Sequence, residues 1–223
     1  SSWICGRTTS STSTPSNDTL KLANAEVAAK LANGNTIRVY AHWTIGTVFS
    51  SDTLGLTHII GTQVLFFDNA ATGQNKPIVD TNTYSSRGGW GANASKIIAP
   101  ETMFVVRNPS AGELTFIAKG FTPDHAVAYL IPANVDRDFL TGTGYPVDVT
   151  VEESGFGGVV GRQIIQFDND ATGQNKPIVN TETYSSRGGW GAGGATILEP
   201  GDGYGFRQGA AQAGGMATVK KPY

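Results

Sequence analysis

Aromatic, amide and arginine side chains recur in two polar segments of the chain, and this combination of residue types can bind a carbohydrate. Residues 67–92 and 167–192 lie one hundred positions apart and differ only at 70/170, 80/180 and 82/182. An aromatic ring can stack on the C–H face of a sugar, while amides and carboxylates bind its hydroxyl pairs. The candidates for contacts with a ligand or a neighbouring molecule are Asn69, Asn75, Arg87, Trp90, Asn169, Asn175, Arg187 and Trp190.

The aromatic residues have a second interpretation, in which they pack in the core and their polar atoms find buried partners. This interpretation is preferred for Tyr84 and Tyr184, whereas both stay open for Trp90 and Trp190, each of which lies in a GGWG turn. The near-identity of the segments is itself open to two explanations. A fold needs similar cores but not identical polar loops, so the repeat indicates either a shared role or a recent duplication.

The second segment also contains part of a calcium-binding pattern. The sequence DNDATG places Asp168, Asp170 and Thr172 in the D-x-D-x-x-G order that opens a calcium loop. Val179 stands at the twelfth position, where a bidentate Glu is expected, and Ala70 replaces the second acid in the first copy. The preferred alternative to bound Ca²⁺ is an Asx turn, in which the side-chain oxygen accepts hydrogen bonds from nearby backbone N–H groups.

A catalytic arrangement is not recognisable. His42, His58 and His125 lie outside the repeated segments without metal-ligand spacing, and no nucleophile elbow, phosphate loop or dinucleotide fingerprint occurs. The adjacent acids Glu152 and Glu153 would point to opposite faces of a strand. Asp138, with Asp136, forms a second acid pair for which the sequence identifies no partner. We therefore expect a protein that is not an enzyme.

Composition restricts the classes of partner. The net charge is −2 and only 15% of the residues are charged, whereas nucleic-acid binding requires a clustered basic face. No apolar run approaches the ~18 residues of a membrane helix, so we expect no membrane span. Cys5 is the only cysteine, which excludes an intrachain disulfide. The start at Ser1 does not have the pattern of a signal peptide and is interpreted as a mature or trimmed end.

Short segments rich in β-branched and aromatic residues alternate with turn residues, which predicts an all-β fold. The predicted strands are residues 36–43, 62–68, 81–84, 102–107, 114–118, 126–131, 146–151, 163–168, 181–184 and 204–207. The repeat favours two tandem antiparallel modules, sandwich- or barrel-like, over residues 19–120 and 121–223. A single merged pseudo-symmetric domain is equally compatible. Residues 1–18 form a Ser/Thr-rich arm, predicted as a disordered tail or, alternatively, a strand that docks on a neighbour.

Several segments together resemble an uncharacterised family of exported bacterial proteins with multiple paralogues per genome. They are VYAHWTIGTVF at 39–49, the FDN…QNK…TY…W segment at 67–90, PETMFVVRNP at 100–109, DFLTGTGYPVDVTV at 138–151 and QNK at 174–176. The resemblance covers most of residues 35–207 and implies a secreted or cell-surface β-rich protein. It implies no activity and transfers no functional residue.

These observations leave three functions open. The preferred one is a structural protein that assembles with copies of itself into a homo-oligomer or polymer, such as a surface layer or filament. Exposed sheet edges and an extended arm are natural means of such assembly. The alternative is a glycan-binding module with two equivalent sites, and the least favoured is an exported enzyme acting on polysaccharide.

Overall fold

The computed structural model describes residues 42–50, 60–99, 102–109, 127–131, 138–208, 215–219 and 222. Several predicted features lie outside these residues. They are the arm at 1–18, residue Cys5, the strand at 114–118 and most of the strand at 36–43. The division into modules at 19–120 and 121–223 stays a prediction.

The fold is all-β, as the sequence predicts. The strands are β1 (Trp43–Thr44), β2 (Gln63–Phe67), β3 (Ile78–Thr83), β4 (Ile97–Ile98), β5 (Phe104–Arg107), β6 (Val127–Ile131), β7 (Asp138–Thr141), β8 (Val149–Thr150), β9 (Gln163–Phe167), β10 (Ile178–Thr183), β11 (Ile197–Leu198), β12 (Tyr204–Arg207) and β13 (Gly215–Val219). The helical elements in the described residues are the single turn α1 (Ile45–Val48) and two 3₁₀ helices, η1 (Gly91–Ser95) and η2 (Gly191–Ala195).

The described strands form five antiparallel sheets. Two of them contain the repeated segments, with the orders β3-β2-β5 and β10-β9-β12-β7. The other three are two-stranded and pair β1 with β4, β8 with β11, and β6 with β13. Within the described residues none of these sheets closes into a barrel.

The two larger sheets use the same strand register. Val64 of β2 lies between Asn82 and Val106, and Ile164 of β9 lies between Glu182 and Phe206. Both central strands bury residues on either face, because the buried pairs Val64–Leu65 and Ile164–Ile165 are consecutive in sequence. The sheets differ at one side, where β7 pairs with β12 and extends the second sheet.

Most of the predicted strands are found, with altered bounds. Strand β3 begins at Ile78 rather than at residue 81, because Ile78 already pairs with Phe67 at the end of β2. The segment predicted at 146–151 contributes only the two residues of β8. Strands β4, β7, β11 and β13 were not predicted, since two to five residues without clear alternation leave little signal.

Short hydrogen-bonded turns end the two-residue strands that precede each larger sheet. The backbone N–H of Thr44 donates to the Thr47 hydroxyl, and the Thr47 N–H donates back to the Thr44 hydroxyl. Thr150 and Glu153 form the same reciprocal pair. These are capping boxes, which satisfy backbone donors that a single helical turn leaves unpaired.

Each larger sheet covers its own hydrophobic core. The core of the first copy contains Phe49, Val64, Phe66 and Trp90, while that of the second contains Phe156, Ile164, Trp190 and Phe206. In the second core the Arg162 guanidinium lies 5.6 Å from the Phe206 ring and donates to the carbonyls of Phe156 and Gly157. Burial lowers the pKa of Arg162 from its ordinary value.

Strand β13 packs closely on Gly155, which makes this glycine a test of the fold. Gly155 has φ +74°, and a Cβ there would lie 2.0 Å from the Thr218 carbonyl oxygen. Gly158 has φ +87° and no atom within 4 Å of a built Cβ. We expect Gly155→Ala to reduce the free energy of unfolding by about 3 kcal/mol or more, through overpacking added to backbone strain. Gly158→Ala carries only the strain, about 1 kcal/mol. Denaturant unfolding of both variants measures the difference, and equal losses would contradict the close packing.

Candidate functional site

Two equivalent loops begin where β2 and β9 end. We call residues 68–76 the first loop and residues 168–176 the second loop. The Asp68 carboxylate accepts from the Ala70 N–H at 2.8 Å, and the Asp168 carboxylate accepts from the N–H groups of Asp170 and Ala171, both at 3.0 Å. Both loops therefore contain the Asx turn that the sequence offered as the alternative to a calcium site.

A lysine ammonium closes each loop from its C-terminal end. Lys76 Nζ donates to the Ala71 carbonyl, and Lys176 Nζ donates to the carbonyls of Ala171 and, at 2.8 Å, Asn169. The loop carbonyl oxygens therefore already bind the lysine ammonium, a cation that belongs to the chain itself. A calcium ion bound by Asp168, Asp170 and Thr172 would have to compete with that ammonium and with the Asx turn.

The metal prediction stays untested beyond this geometry. No group of three or more histidine, cysteine or acidic side chains placed to hold a metal ion occurs in the part of the chain that the structure describes. The side chains of Asp170 and Thr172 are exposed. Bound Ca²⁺ therefore remains a prediction. One of its proposed ligands, the Asp168 carboxylate, already accepts two backbone hydrogen bonds within the loop.

The first loop docks on the edge strand of the second sheet. The Asn69 side chain accepts from the Leu140 N–H at 2.9 Å and donates to the Leu140 carbonyl, also at 2.9 Å. The Asp138 N–H donates to the Gly73 carbonyl at 3.4 Å. A planar carboxamide thus pairs with an edge residue as a neighbouring strand would, which satisfies backbone groups that the edge of β7 otherwise presents.

An ion pair anchors the docked strand to its sheet. Arg207 Nε donates to Asp138 Oδ1 at 2.7 Å and Nη2 donates to Oδ2 at 3.0 Å, the bidentate arrangement that arginine favours. The same carboxylate accepts from the Asn75 N–H at 3.2 Å. Asp138 therefore links the second sheet to the first loop. Asn75 adopts φ +57°, a left-handed conformation that asparagine tolerates better than most residues.

The second loop has the same sequence features but a different environment. The Asn169 side chain donates to Asp202 Oδ1 at 2.7 Å on the protein surface, rather than to the backbone of an edge strand as Asn69 does. Lys76 is 7% exposed, whereas Lys176 is half-buried. Asn69 is half-buried and Asn169 is exposed. One copy of the loop is thus covered by a sheet edge and the other is open.

The tryptophans lie in the core, in agreement with the second of the two interpretations. Trp90 is 8% exposed and Trp190 is 5% exposed. Each stacks edge-on against the tyrosine six residues before it, with ring centroids 5.3 Å apart in both copies. Trp90 Nε1 also donates to the Phe49 carbonyl at 3.0 Å. Neither ring presents a free face, so stacking on a sugar would require the turn to open.

The predicted arginines lie in exposed turns. Arg87 and Arg187 are exposed in the tight turns that a bridge closes between Ser85 and Gly89 and between Ser185 and Gly189. Of the predicted residues, Asn69 and Asn75 are brought together with Asp138. The sequence did not identify Asp138, Leu140 or Lys76 as parts of a site. The one available signal was the equivalent position of Arg107 and Arg207 in the two copies.

The titratable groups near the second loop do not form a reactive set. Burial, followed by the nearby Asp202 carboxylate, raises the pKa of the Tyr204 hydroxyl above its usual range. Tyr204 therefore stays protonated at neutral pH and donates to the Glu199 carbonyl at 2.9 Å. A protonated phenol with a fixed acceptor is not an activated nucleophile or base.

Comparisons with known proteins find no relative. No protein-family model matches the chain, and searches of curated proteins and of solved structures return no match. The resemblance to an exported bacterial family therefore stays a proposal. No helix in the described residues has the length and apolar character needed to cross a membrane.

The docked contact can be measured by comparing the two loops. We expect Asn69→Ala to lower the free energy of unfolding by about 1–3 kcal/mol, because it removes the partners of both backbone groups of Leu140. Asn169→Ala is the matched control and should stay within about 0.5 kcal/mol of wild type, since its one contact is exposed. Urea unfolding of both variants provides the measurement. A neutral Asn69→Ala would show that the docked loop does not stabilise β7.

Proposed function

We propose that this protein is a non-enzymatic, extracellular structural protein that assembles with copies of itself into a surface layer or filament. The observation that supports this most directly is the contact between Asn69 and both backbone groups of Leu140. It joins the loop of one repeated segment to the edge strand of the sheet that contains the other segment. The exported location rests on the resemblance across residues 35–207.

The contact is of a kind that can propagate. It joins two different surfaces, a loop and a sheet edge, rather than two identical ones. A contact between unlike surfaces forms a ring if the rotation closes and an open filament if it does not. The chain presents the loop twice, and the second copy is open to solvent.

The structure gives less support to the glycan-binding alternative. The rings of Trp90 and Trp190, which would stack on a sugar, are buried against Tyr84 and Tyr184. Arg87 and Arg187 are exposed. The tryptophan rings that could stack on a sugar beside them, those of Trp90 and Trp190, are buried.

Assembly is the property to measure first. We expect the native chain to form regular polymers in negative-stain electron microscopy as its concentration rises, because sheet edges that are unpaired among the described strands and a second open loop favour repeated contacts. Sedimentation velocity of the same samples gives the mass distribution. A chain lacking residues 1–18 tests the arm, and polymers that shorten or vanish would assign it a role.

The alternative outcomes separate the functions. Unchanged polymers without residues 1–18 would exclude the arm mechanism and keep the structural function. Monomers at every concentration, together with binding on a glycan array, would replace the structural function by the glycan-binding one. Both Trp90→Phe and Trp190→Phe serve as controls there, because a buried Trp should affect stability before it affects binding.

A further inference from the structure

We propose that the outer edge of β7 pairs with β7 of a second copy of this chain, and that the first loop covers this edge in the free molecule. The inference rests on the proposed assembly, for which it identifies one joint and the contact that restrains it. The docked first loop is then autoinhibitory. Its release lets two β7 strands pair as antiparallel neighbours.

The first loop occupies the backbone groups through which an edge strand pairs. The N–H and the carbonyl of Leu140 bind the Asn69 carboxamide, and the Asp138 N–H donates to the Gly73 carbonyl. In an antiparallel pair, the N–H and C=O of every second residue point to the same neighbouring strand. Residues 138 and 140 therefore face away from β12, and the loop binds them where a further strand would.

Strand β7 lacks the other features that keep natural edge strands apart. Its sequence, DFLT, contains no Lys or Pro, and it pairs with β12 in continuous register without a bulge. Its one charged side chain, Asp138, receives two hydrogen bonds from the Arg207 guanidinium. The ion pair reduces the repulsion between the like charges of two such strands. The first loop is thus the protection that the described structure provides for this edge.

The second loop shows the conformation of a loop that has left the edge. The two loops differ only at 70/170, yet among the described non-glycine residues only Asn75 has a positive φ, of +57°. Asn175 therefore lies outside the left-handed region, and docking imposes on Asn75 a backbone cost that Asn175 does not bear. The second loop nevertheless keeps its Asx turn and its lysine bond. The first loop can accordingly leave β7 with its internal bonds intact.

The released edges would meet about a two-fold axis. The backbone groups of Leu140 and Asp138 that now bind the loop would bind the equivalent strand of the second copy, and the sheet β10-β9-β12-β7 would continue from one copy into the next. A contact between identical surfaces closes as a dimer. It therefore supplies one joint of the proposed assembly, and a contact between other surfaces has to extend it.

The first experiment releases the loop without changing β7. Asn75 contacts Asp138 through its backbone N–H, and a β-branched residue strongly disfavours the left-handed conformation. We expect the Leu140 N–H to exchange with solvent about tenfold faster or more in Asn75→Val, measured by NMR at concentrations where the chain is monomeric. Asn175→Val is the matched control and should exchange at the wild-type rate. An unchanged Leu140 rate in Asn75→Val would overturn the autoinhibitory contact.

The second experiment measures association by sedimentation velocity over a concentration series. Asn75→Val should dimerise at a concentration about tenfold or more below that of wild type, because a larger fraction of its molecules has a free edge. Asn175→Val should behave as wild type. Adding Leu140→Pro to Asn75→Val should abolish the dimer, since proline has no N–H to donate across the edge. The Leu140 N–H faces the loop rather than β12, so this change removes no bond of the sheet itself.

A further measurement decides the case if the variant with Leu140→Pro does not fold. In a mixture of isotope-labelled and unlabelled Asn75→Val, filtered NMR spectra should show contacts between the β7 strands of the two copies. A dimer without such contacts would overturn the pairing of β7 strands. Amorphous aggregates in place of a dimer would overturn it as well.

The outcomes distinguish this inference from the function on which it rests. Wild-type polymers together with equal association of wild type and Asn75→Val would overturn the autoinhibitory contact and leave the structural function standing. Dimers of Asn75→Val through β7, with wild type that forms no polymer at any concentration, would support the β7 contact and overturn the structural function. Faster exchange at Leu140 without any association would overturn the pairing of β7 strands.

Discussion

The contact between the first loop and the second sheet is centred on Asn69, a side chain that pairs with β7 as a neighbouring strand would. Asn69 accepts from the N–H of Leu140 and donates to its carbonyl. The outer edge of β7 is therefore paired with a side-chain carboxamide at Leu140. An edge strand presents unpaired groups that must be satisfied or protected. Because the adjacent residue Asp138 binds both Arg207 and the Asn75 N–H, this edge, the sheet behind it and the loop in front of it form one hydrogen-bonded unit.

A comparison of the two near-identical loops distinguishes the conformations and hydrogen bonds that the local sequence determines from those that depend on the surrounding structure. The Asx turn at Asp68 and Asp168 and the lysine bond to the following alanine carbonyl recur in both copies, although only one copy is docked. These bonds join residues five or fewer positions apart, and both copies of the sequence form them. The left-handed Asn75 and the burial of Lys76 belong to the docked copy, so they result from contact with β7.

The sequence predicted the parts of the fold that carry a local signal. Strands such as β2 and β9 contain consecutive β-branched and aromatic residues, and the polar turns after them contain Asp, Asn and Gly at the expected places. Strand β7 had no such signal, because its partners Arg207 and Asn69 lie about seventy residues away on either side. The tryptophans were ambiguous for a similar reason. The edge-on tyrosine is local, but the Phe49 carbonyl that binds Trp90 is forty-one residues distant.

The charged groups of the two loops form hydrogen bonds mainly within the chain itself. Each Asx carboxylate is held by backbone N–H groups, each lysine ammonium by backbone carbonyls, and the Asp138 carboxylate by an arginine. These hydrogen bonds hold the loop side chains in fixed positions on the chain itself. The loops therefore present a rigid surface, since a loop fixed by its own bonds loses little conformational entropy when it docks. The carboxamide of Asn69 needs only a backbone N–H and C=O at strand spacing, which Leu140 provides within the molecule. Because the Asp138 carboxylate also accepts from the Asn75 N–H, the docked loop combines backbone pairing with one side-chain contact, and this combination fixes its position on β7.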